Sequence, residues 1–415
     1  MRRNLQRYYA YTVLSSLTFT WTTWFVFVAS RGGNPGWAES AFHLAILLGE
    51  VPTGVVADLL GRRRSMLIGL VLSAASYLSY AAISDTLTAC LLLGLSGLSV
   101  TFLSGADTAL LYETAEALGG EDFARRALAR ASALQMATLA VAPVIAGWLA
   151  ERHPVAPFLA HGAATLLAAA VVWTMREPAP YRPAAAGAVS GAGASVASSP
   201  TAVAEPVSPA TMAEGRRSPW AHARAALAYL RDQPELLAMI AFAWVYEAVA
   251  SMVSQFAQVY LPALGLSLFG AGVVFSAGRL LGAAGGWVAE RLREDGAGLW
   301  LRCGPLGQAA LIMLAGLARS AGGGAALVLN EGVDGLVYPL LSARINQAIP
   351  SAQRATVLSF QSLGSSLLIA AAFPAAAALP SVFGIYSIVG GAFAAAALVW
   401  ALPRKRTVVR TAKSR

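Results

Sequence analysis

Gly54-Val55-Val56-Ala57-Asp58-Leu59-Leu60-Gly61-Arg62-Arg63-Arg64 is a short charged passage set between two long apolar runs. Three consecutive arginines do not sit in hydrocarbon, where each costs about 2.5–3.5 kcal/mol even on the mildest scales. The flanking runs must therefore stop here, and the passage reads as a tight loop at a membrane face. The two glycines allow a sharp turn and close helix approach. Asp58, at a helix end, is placed to accept hydrogen bonds from a helix N-terminus.

Working outward from this loop, windows of about 20 apolar residues place spans near 8–30, 38–60, 65–84, 87–113, 127–150 and 155–176. A second group follows near 235–262, 266–290, 298–318, 324–347, 354–379 and 382–402. Between them lies an Ala/Pro/Ser/Gly-rich stretch that cannot bury a core and reads as a flexible linker. The expected organisation is a six-helix half at 1–176, a linker at 177–222, a second six-helix half at 223–403 and a basic tail at 404–415. Ser218 to Asp232 has apolar residues at helical spacing and is expected to lie along the membrane surface.

Composition agrees. The 415 residues are 57% hydrophobic and 12% charged, with a mean hydropathy of +0.60, whereas soluble domains carry roughly 25% charged residues. The formal charge of +9 does not mark a nucleic-acid footprint, because the basic residues gather at the ends of apolar runs. Nearly all of the 30 Lys and Arg side chains fall on the N-terminus, the linker, the tail and alternate loops. Arg31, Arg152 and Arg319 alone fall on the other set, and Arg279 lies mid-span. This bias predicts both termini and the linker in the cytoplasm. The apolar run after Arg2, Arg3 and Arg7 lacks a small-residue cleavage site and reads as a first span rather than a signal peptide. Cys90 and Cys303 are packing residues, and neither they nor the scattered histidines offer a metal-ligand spacing. The predominance of arginine over lysine and the abundance of alanine fit a GC-rich bacterial genome.

The halves echo each other. Gly286-Trp287-Val288-Ala289-Glu290 closes the eighth span as Gly54 to Asp58 closes the second, and Gln353-Arg354-Ala355 opens the eleventh as the residues around Arg126 open the fifth. Repeats of six spans are a known transporter build.

With its position between the second and third spans, Gly54-x-x-x-Asp58-x-x-Gly61-Arg62-Arg63-Arg64 resembles the signature loop of the major facilitator superfamily, although Leu59 replaces the usual basic residue. Ser104 to Glu113 is similar to a fourth-span segment common in bacterial members. Ala142-Pro143-Val144-Ile145-Ala146-Gly147 resembles a degenerate form of the superfamily's antiporter motif, while the mid-span Arg of many antiporters is missing from the fourth span. The resemblance implies an all-α integral membrane protein with twelve transmembrane helices in two pseudo-symmetric halves. It implies alternating access, a drug/proton antiporter-like mode and a monomer. It also implies that Gly54, Asp58, Gly61, Arg62 and Arg63 form a cytoplasmic latch, which Glu113 and Arg126 join.

Ionisable side chains within spans should face a cavity and have partners. Glu247 lies about 18 Å into the seventh span at 1.5 Å per residue, with Ser251, Ser254 and Gln258 following on one helical face. Asn330, Glu331, Asp334 and Tyr338 form a polar face in the tenth. Arg279 demands an acid, and Glu247, Glu331 and Asp334 all stand as candidates; the pair is either a static packing bridge or part of coupling. Glu50 lies before Pro52, and Asp107 sits toward the cytoplasmic end of the fourth span. Tyr11, Ser15, Thr18 and Thr22 share a spacing, with Trp21 and Trp24 nearby, suited either to a ligand or to interhelical bonding. His43 reads as a hydrogen-bonded packing residue.

The expected function is secondary transport of a small organic molecule across a bacterial inner membrane, as proton-coupled efflux. The alternative is a proton-coupled or facilitative importer. A raised-pKa carboxylate, with Glu247 first, would let proton and substrate compete. A membrane enzyme would need a nucleophile or metal cluster, and a sensor would need a soluble signalling domain; the sequence offers neither pattern. No cofactor, metal or nucleic acid is expected.

Overall fold

The computed structural model describes residues 1–177, 227–350 and 353–402. Most of the expected linker, the 404–415 tail and the first part of the expected surface helix lie outside these residues, although 227–231 is helical.

The described residues form two groups of six helical spans. In the first, α1 (Arg2–Ser15) and α2 (Trp24–Ser30) make one broken span, with a 3-10 turn at Phe19–Thr22 between them and a bend of 42°. The break falls where Thr18, Thr20, Thr22 and Thr23 crowd the chain, because β-branched residues are stiff against the preceding helical turn. Hydroxyl back-bonding prepares it: Ser16 Oγ donates to the Thr12 carbonyl at 2.6 Å. The expected face of Tyr11, Ser15, Thr18 and Thr22 is thus interrupted after Ser15.

Next come α3 (Pro35–Leu60) and α4 (Arg62–Leu78), joined at Gly61, then α5 (Thr86–Leu103). Asp85 caps α5 by accepting from the Thr88 amide at 2.8 Å. The fourth span continues past a break at Ser104-Gly105, where Gly105 has φ +74°, into α6 (Ala106–Arg152). A second break at Gly119-Gly120 divides α6 between the fourth and fifth spans. The residues expected to form a loop at 114–126 are therefore largely helical, held in part by the Arg125–Glu121 pair at 2.7 Å. The first half ends with α7 (Ala156–Thr174).

The second half consists of α8 (Pro234–Ala263), α9 (Leu268–Ala289), α10 (Glu294–Leu317), α11 (Ala321–Ala348), α12 (Arg354–Ala377) and α13 (Val382–Ala401). Taken alone, α4 at 17 residues is shorter than a simple span and α11 is less apolar than one. They carry Arg62 to Arg64, and Glu331, Asp334 and Arg344.

Small residues let the helices touch. Gly335 of α11 meets the Gly282 backbone of α9, and Gly272 of α9 meets the Pro143 carbonyl of α6. The second contact joins the two halves and is built by the Ala142 to Gly147 segment. The end of the bundle bearing Arg62 to Arg64 and the N-terminus is the basic face; the opposite end is the neutral face.

Candidate transport site

Bonds between the halves gather toward the neutral face. The bend in the first span leaves amides at the start of α2 without intrahelical acceptors, and α8 of the other half supplies one. Gln258 Oε1 accepts the Phe25 N–H at 2.9 Å, and Gln258 Nε2 donates to Gln255 Oε1 at 2.8 Å. That same oxygen accepts Trp24 Nε1 at 3.2 Å, while Gln255 Nε2 donates to Glu39 Oε1 at 3.1 Å. Glu39, only 4% exposed, also lies 3.6 Å from His43 Nε2. Two flanks complete the seal. Ser40 Oγ donates to the Ala370 carbonyl at 2.6 Å, and Glu151 Oε1 accepts the Phe269 amide at 2.9 Å. Phe25 packs edge-on against Phe256, which stacks on Phe373.

Arg279 and Glu247 lie at mid-height, near the middles of α9 and α8. Arg279 Nη1 lies 3.7 Å from Glu331 Oε2, and these side chains keep 19% and 24% exposure. The Arg279 guanidinium also sits 5.9 Å from the Trp21 ring of the first half. Glu247 is half-buried and accepts from Gln361 Nε2 at 3.2 Å, with Tyr338 and Ser365 hydroxyls on the same side. Trp244 Nε1 fixes Gln361 by donating to its carbonyl at 2.8 Å. Of the three acids in reach of Arg279 by sequence, Glu331 is the one paired with it.

Other expected cavity residues sit elsewhere. Asp334 is turned into the interior of the second half, where it accepts the Tyr246 hydroxyl at 2.8 Å. Asp107 occupies the first turn of α6, a favourable place for an anion, and accepts the Thr108 amide at 2.6 Å and the Tyr11 hydroxyl. Glu50 lies in the basic-face half of α3. Gln258 belongs to the neutral-face seal.

On the basic face Arg62 and Arg63 bond to partners of the first half. Arg62 Nε donates to Glu113 Oε1 at 2.9 Å, and Arg63 donates to the Val172 carbonyl at 3.3 Å and to the Trp173 carbonyl. Glu113 therefore meets Arg62 rather than the arginines that follow it in sequence; Arg126 is exposed. Glu177 accepts the Arg63 amide at 2.9 Å and so takes the carboxylate seat at the α4 N-terminus. The side chain of Asp58 lies outside the described residues. Gly61, at φ +92°, leaves room for Glu177.

Bonds across the halves thus gather at one face, while Arg279 and Glu331 keep partial exposure at mid-height. The family model of the Major Facilitator Superfamily matches residues 12–373. The chain belongs to the major facilitator superfamily. Among solved structures, this superfamily member is similar to the nucleoside transporter NupG, with a TM-score of 0.70, 13% identity, and coverage of 96% of this chain and 98% of that one. It is similar to the human organic anion transporter MFSD10, with a TM-score of 0.59, 20% identity and coverage of 96% and 99%. A D-xylose-proton symporter gives 0.67, 12% identity, and 96% of each chain. These likenesses carry the fold. A search of curated proteins gives no match. As a superfamily member, the protein is a secondary transporter with a multi-pass membrane fold.

Sequence reading missed Glu39 and Gln255 as joint members of the seal. The available signal was Glu39 four residues before His43 on one face of the second span, opposite a glutamine pair at Gln255 and Gln258.

Proposed function

We propose that this transporter exports a small organic solute from a bacterial cytoplasm in exchange for protons, acting as a monomer with both termini inside. The Lys/Arg bias supports that orientation, which turns the neutral-face seal outward and the basic face toward the cytoplasm. The linker at 177–222 then joins two rocking halves, 1–176 and 223–403, and Gly54, Asp58, Gly61, Arg62, Arg63, Glu113 and Arg126 close the basic face when it moves.

The observation that carries the coupling reading is the contrast between two mid-height acids. Glu331 faces a guanidinium, whereas Glu247 is held by the neutral donor Gln361. Its charge state is free to follow proton and solute occupancy. Trp21, Trp244 and Tyr338 around the charged groups suit an amphipathic solute with an aromatic part. Asp107 and Glu50 are secondary proton sites on the first-half side.

The test uses purified protein in liposomes carrying an internal pH dye, with an acid interior and a panel of lipophilic cations and antibiotics. Solute-triggered alkalinisation that disappears in Glu247→Gln and Asp58→Asn supports exchange. Saturable uptake of a labelled metabolite without counter-movement of protons turns the reading to import.

A further inference from the structure

A groove of about 670 Å³ runs between α1 and α7 of the first half. That volume falls within the roughly 300–1,000 Å³ of a small-ligand site. The two helices are antiparallel, and Arg7 Nη1 fixes their register by donating to the Thr174 carbonyl at 2.6 Å. Asn4 braces the same end, accepting the Arg176 amide at 2.9 Å and donating to the Arg176 carbonyl at 3.0 Å. Arg3, Gln6 and Arg7 therefore line the groove at the basic face, and Leu14 and Leu167 line it deeper in the span. Leu167 is 57% exposed, and the same face of α7 carries Leu166 and Trp173 at 45% and 69%. A helix face of that composition is turned to acyl chains rather than to a solute path.

The groove is divided along its length as a phospholipid is. From Arg3 to Leu14 it covers about 16 Å at 1.5 Å per residue, close to one leaflet's share of a hydrocarbon core about 30 Å thick. Trp173 marks the depth of the polar end, since exposed indoles settle at the headgroup level, and the Arg63 guanidinium lies 5.4 Å from its ring. At that level Arg3 and Arg7 offer planar forks of N–H donors that match phosphate geometry. Among the described residues neither is paired with a carboxylate. The bond to Thr174 holds Arg7 in place and leaves its other donors for a headgroup. A zwitterionic headgroup would bring its own cation against two guanidinium groups, whereas an anionic one brings only the complementary charge. A free phosphate ion would use the arginines and leave the apolar length of the groove uncovered.

We propose that the groove between α1 and α7 binds one anionic phospholipid of the leaflet at the basic face. Its phosphate sits on Arg3 and Arg7, and an acyl chain lies along Ala10, Leu14, Leu167 and Ala170. The site is separate from Glu247 and Arg279 and depends on neither proton exchange nor the direction of transport. A lipid seated there bridges α1 to α7, and α1 is the first part of the broken span whose α2 carries the Phe25–Gln258 bond of the seal.

The experiment adds phosphatidylglycerol or phosphatidylcholine with the same acyl chains to the delipidated full-length protein in detergent. It measures the melting temperature, with retained lipid counted by native mass spectrometry. The expected result is a saturable rise with phosphatidylglycerol as one lipid is retained, and at least tenfold weaker apparent affinity for phosphatidylcholine. Arg3→Gln should weaken phosphatidylglycerol binding about fivefold, the effect of one basic residue at an anionic surface. Ala170→Trp, which fills the groove without touching its charges, should abolish the rise. Arg130→Gln, exposed on the same face outside the groove, should leave the affinity unchanged. Arg7→Gln also removes the bond to Thr174, so Arg3→Gln and Ala170→Trp carry the test. Equal effects of the two lipids overturn the site, as does unchanged phosphatidylglycerol affinity in either of these variants. A loss in Arg130→Gln as large as in Arg3→Gln assigns the preference to diffuse surface charge, and an equal rise with inorganic phosphate assigns it to an ion; both overturn the proposal.

Discussion

Glu247 and Arg279 lie at similar heights in the bundle, yet their surroundings give them different tasks. Arg279 is matched by Glu331 at 3.7 Å and touches Trp21 across the halves. Removing the guanidinium leaves a half-buried carboxylate without its partner, which costs more than removing both charges. Arg279→Leu is therefore expected to melt below the Arg279→Leu/Glu331→Leu double variant, and to transport at least about tenfold more slowly than the unaltered protein, about 1.4 kcal/mol. Equal melting of the single and double variants would assign the pair no coupling. Gly61 makes a second residue-scale case. At φ +92° and ψ 156° any side chain is strained by about 1–3 kcal/mol, and a Cβ would also displace the Glu177 carboxylate from the α4 amide. Gly61→Ala should lower the melting temperature and loosen the basic-face loop, read as faster amide exchange at Arg63. The charges themselves were legible in the sequence, since an ionisable group inside an apolar run stands out. Their partners were not. Whether Asp334 faces the central space or the interior depends on the rotation of α11 about its axis, and packing against α8 and α10 sets that rotation.

Among the elements, the broken first span carries the most consequence. Its threonine-rich break exposes the Phe25 amide, and Gln258 from α8 accepts it across the halves. Gln258→Leu keeps the volume but leaves a buried N–H unmatched, a cost of about 1–3 kcal/mol falling on the sealed conformation. The seal should open more often, and Ser40→Cys, placed in a cysteine-free background, should be alkylated faster from the neutral face. Unchanged alkylation would mean that the apolar stack of Phe25, Phe256 and Phe373 holds the seal by itself. The helices α6 and α9 pack through Gly147 and Gly272, each against a backbone carbonyl of the other helix. Gly272→Leu should separate the halves at this flank and abolish transport while expression in the membrane remains measurable. The spans were readable because hydrophobic length is written directly into the chain. The breaks after Ser15 and at Gly119-Gly120, and the continuation of α6 through the expected loop, depend on local backbone choices that a hydropathy window averages away.

For the whole molecule, the two six-helix halves meet through a polar and aromatic seal at the neutral face, while Arg62 bonds to Glu113 and Arg63 to the Trp173 carbonyl at the basic face. In the proposed cycle, the Gln255–Glu39 and Ser40–Ala370 bonds break as the basic face closes. The same proposal has a proton on Glu247 bias the exchange, because the conformation that buries the carboxylate more deeply prefers it neutral. The most direct test replaces Cys90 and Cys303 and places spin labels at Leu60 and Val288 on the basic face, both exposed. Their separation is measured by double electron–electron resonance between pH 8 and pH 5. The account predicts a pH-dependent redistribution between long and short distances in the unaltered background and a pH-independent distribution in Glu247→Gln. The same redistribution in Glu247→Gln, or none in the unaltered background, would contradict it.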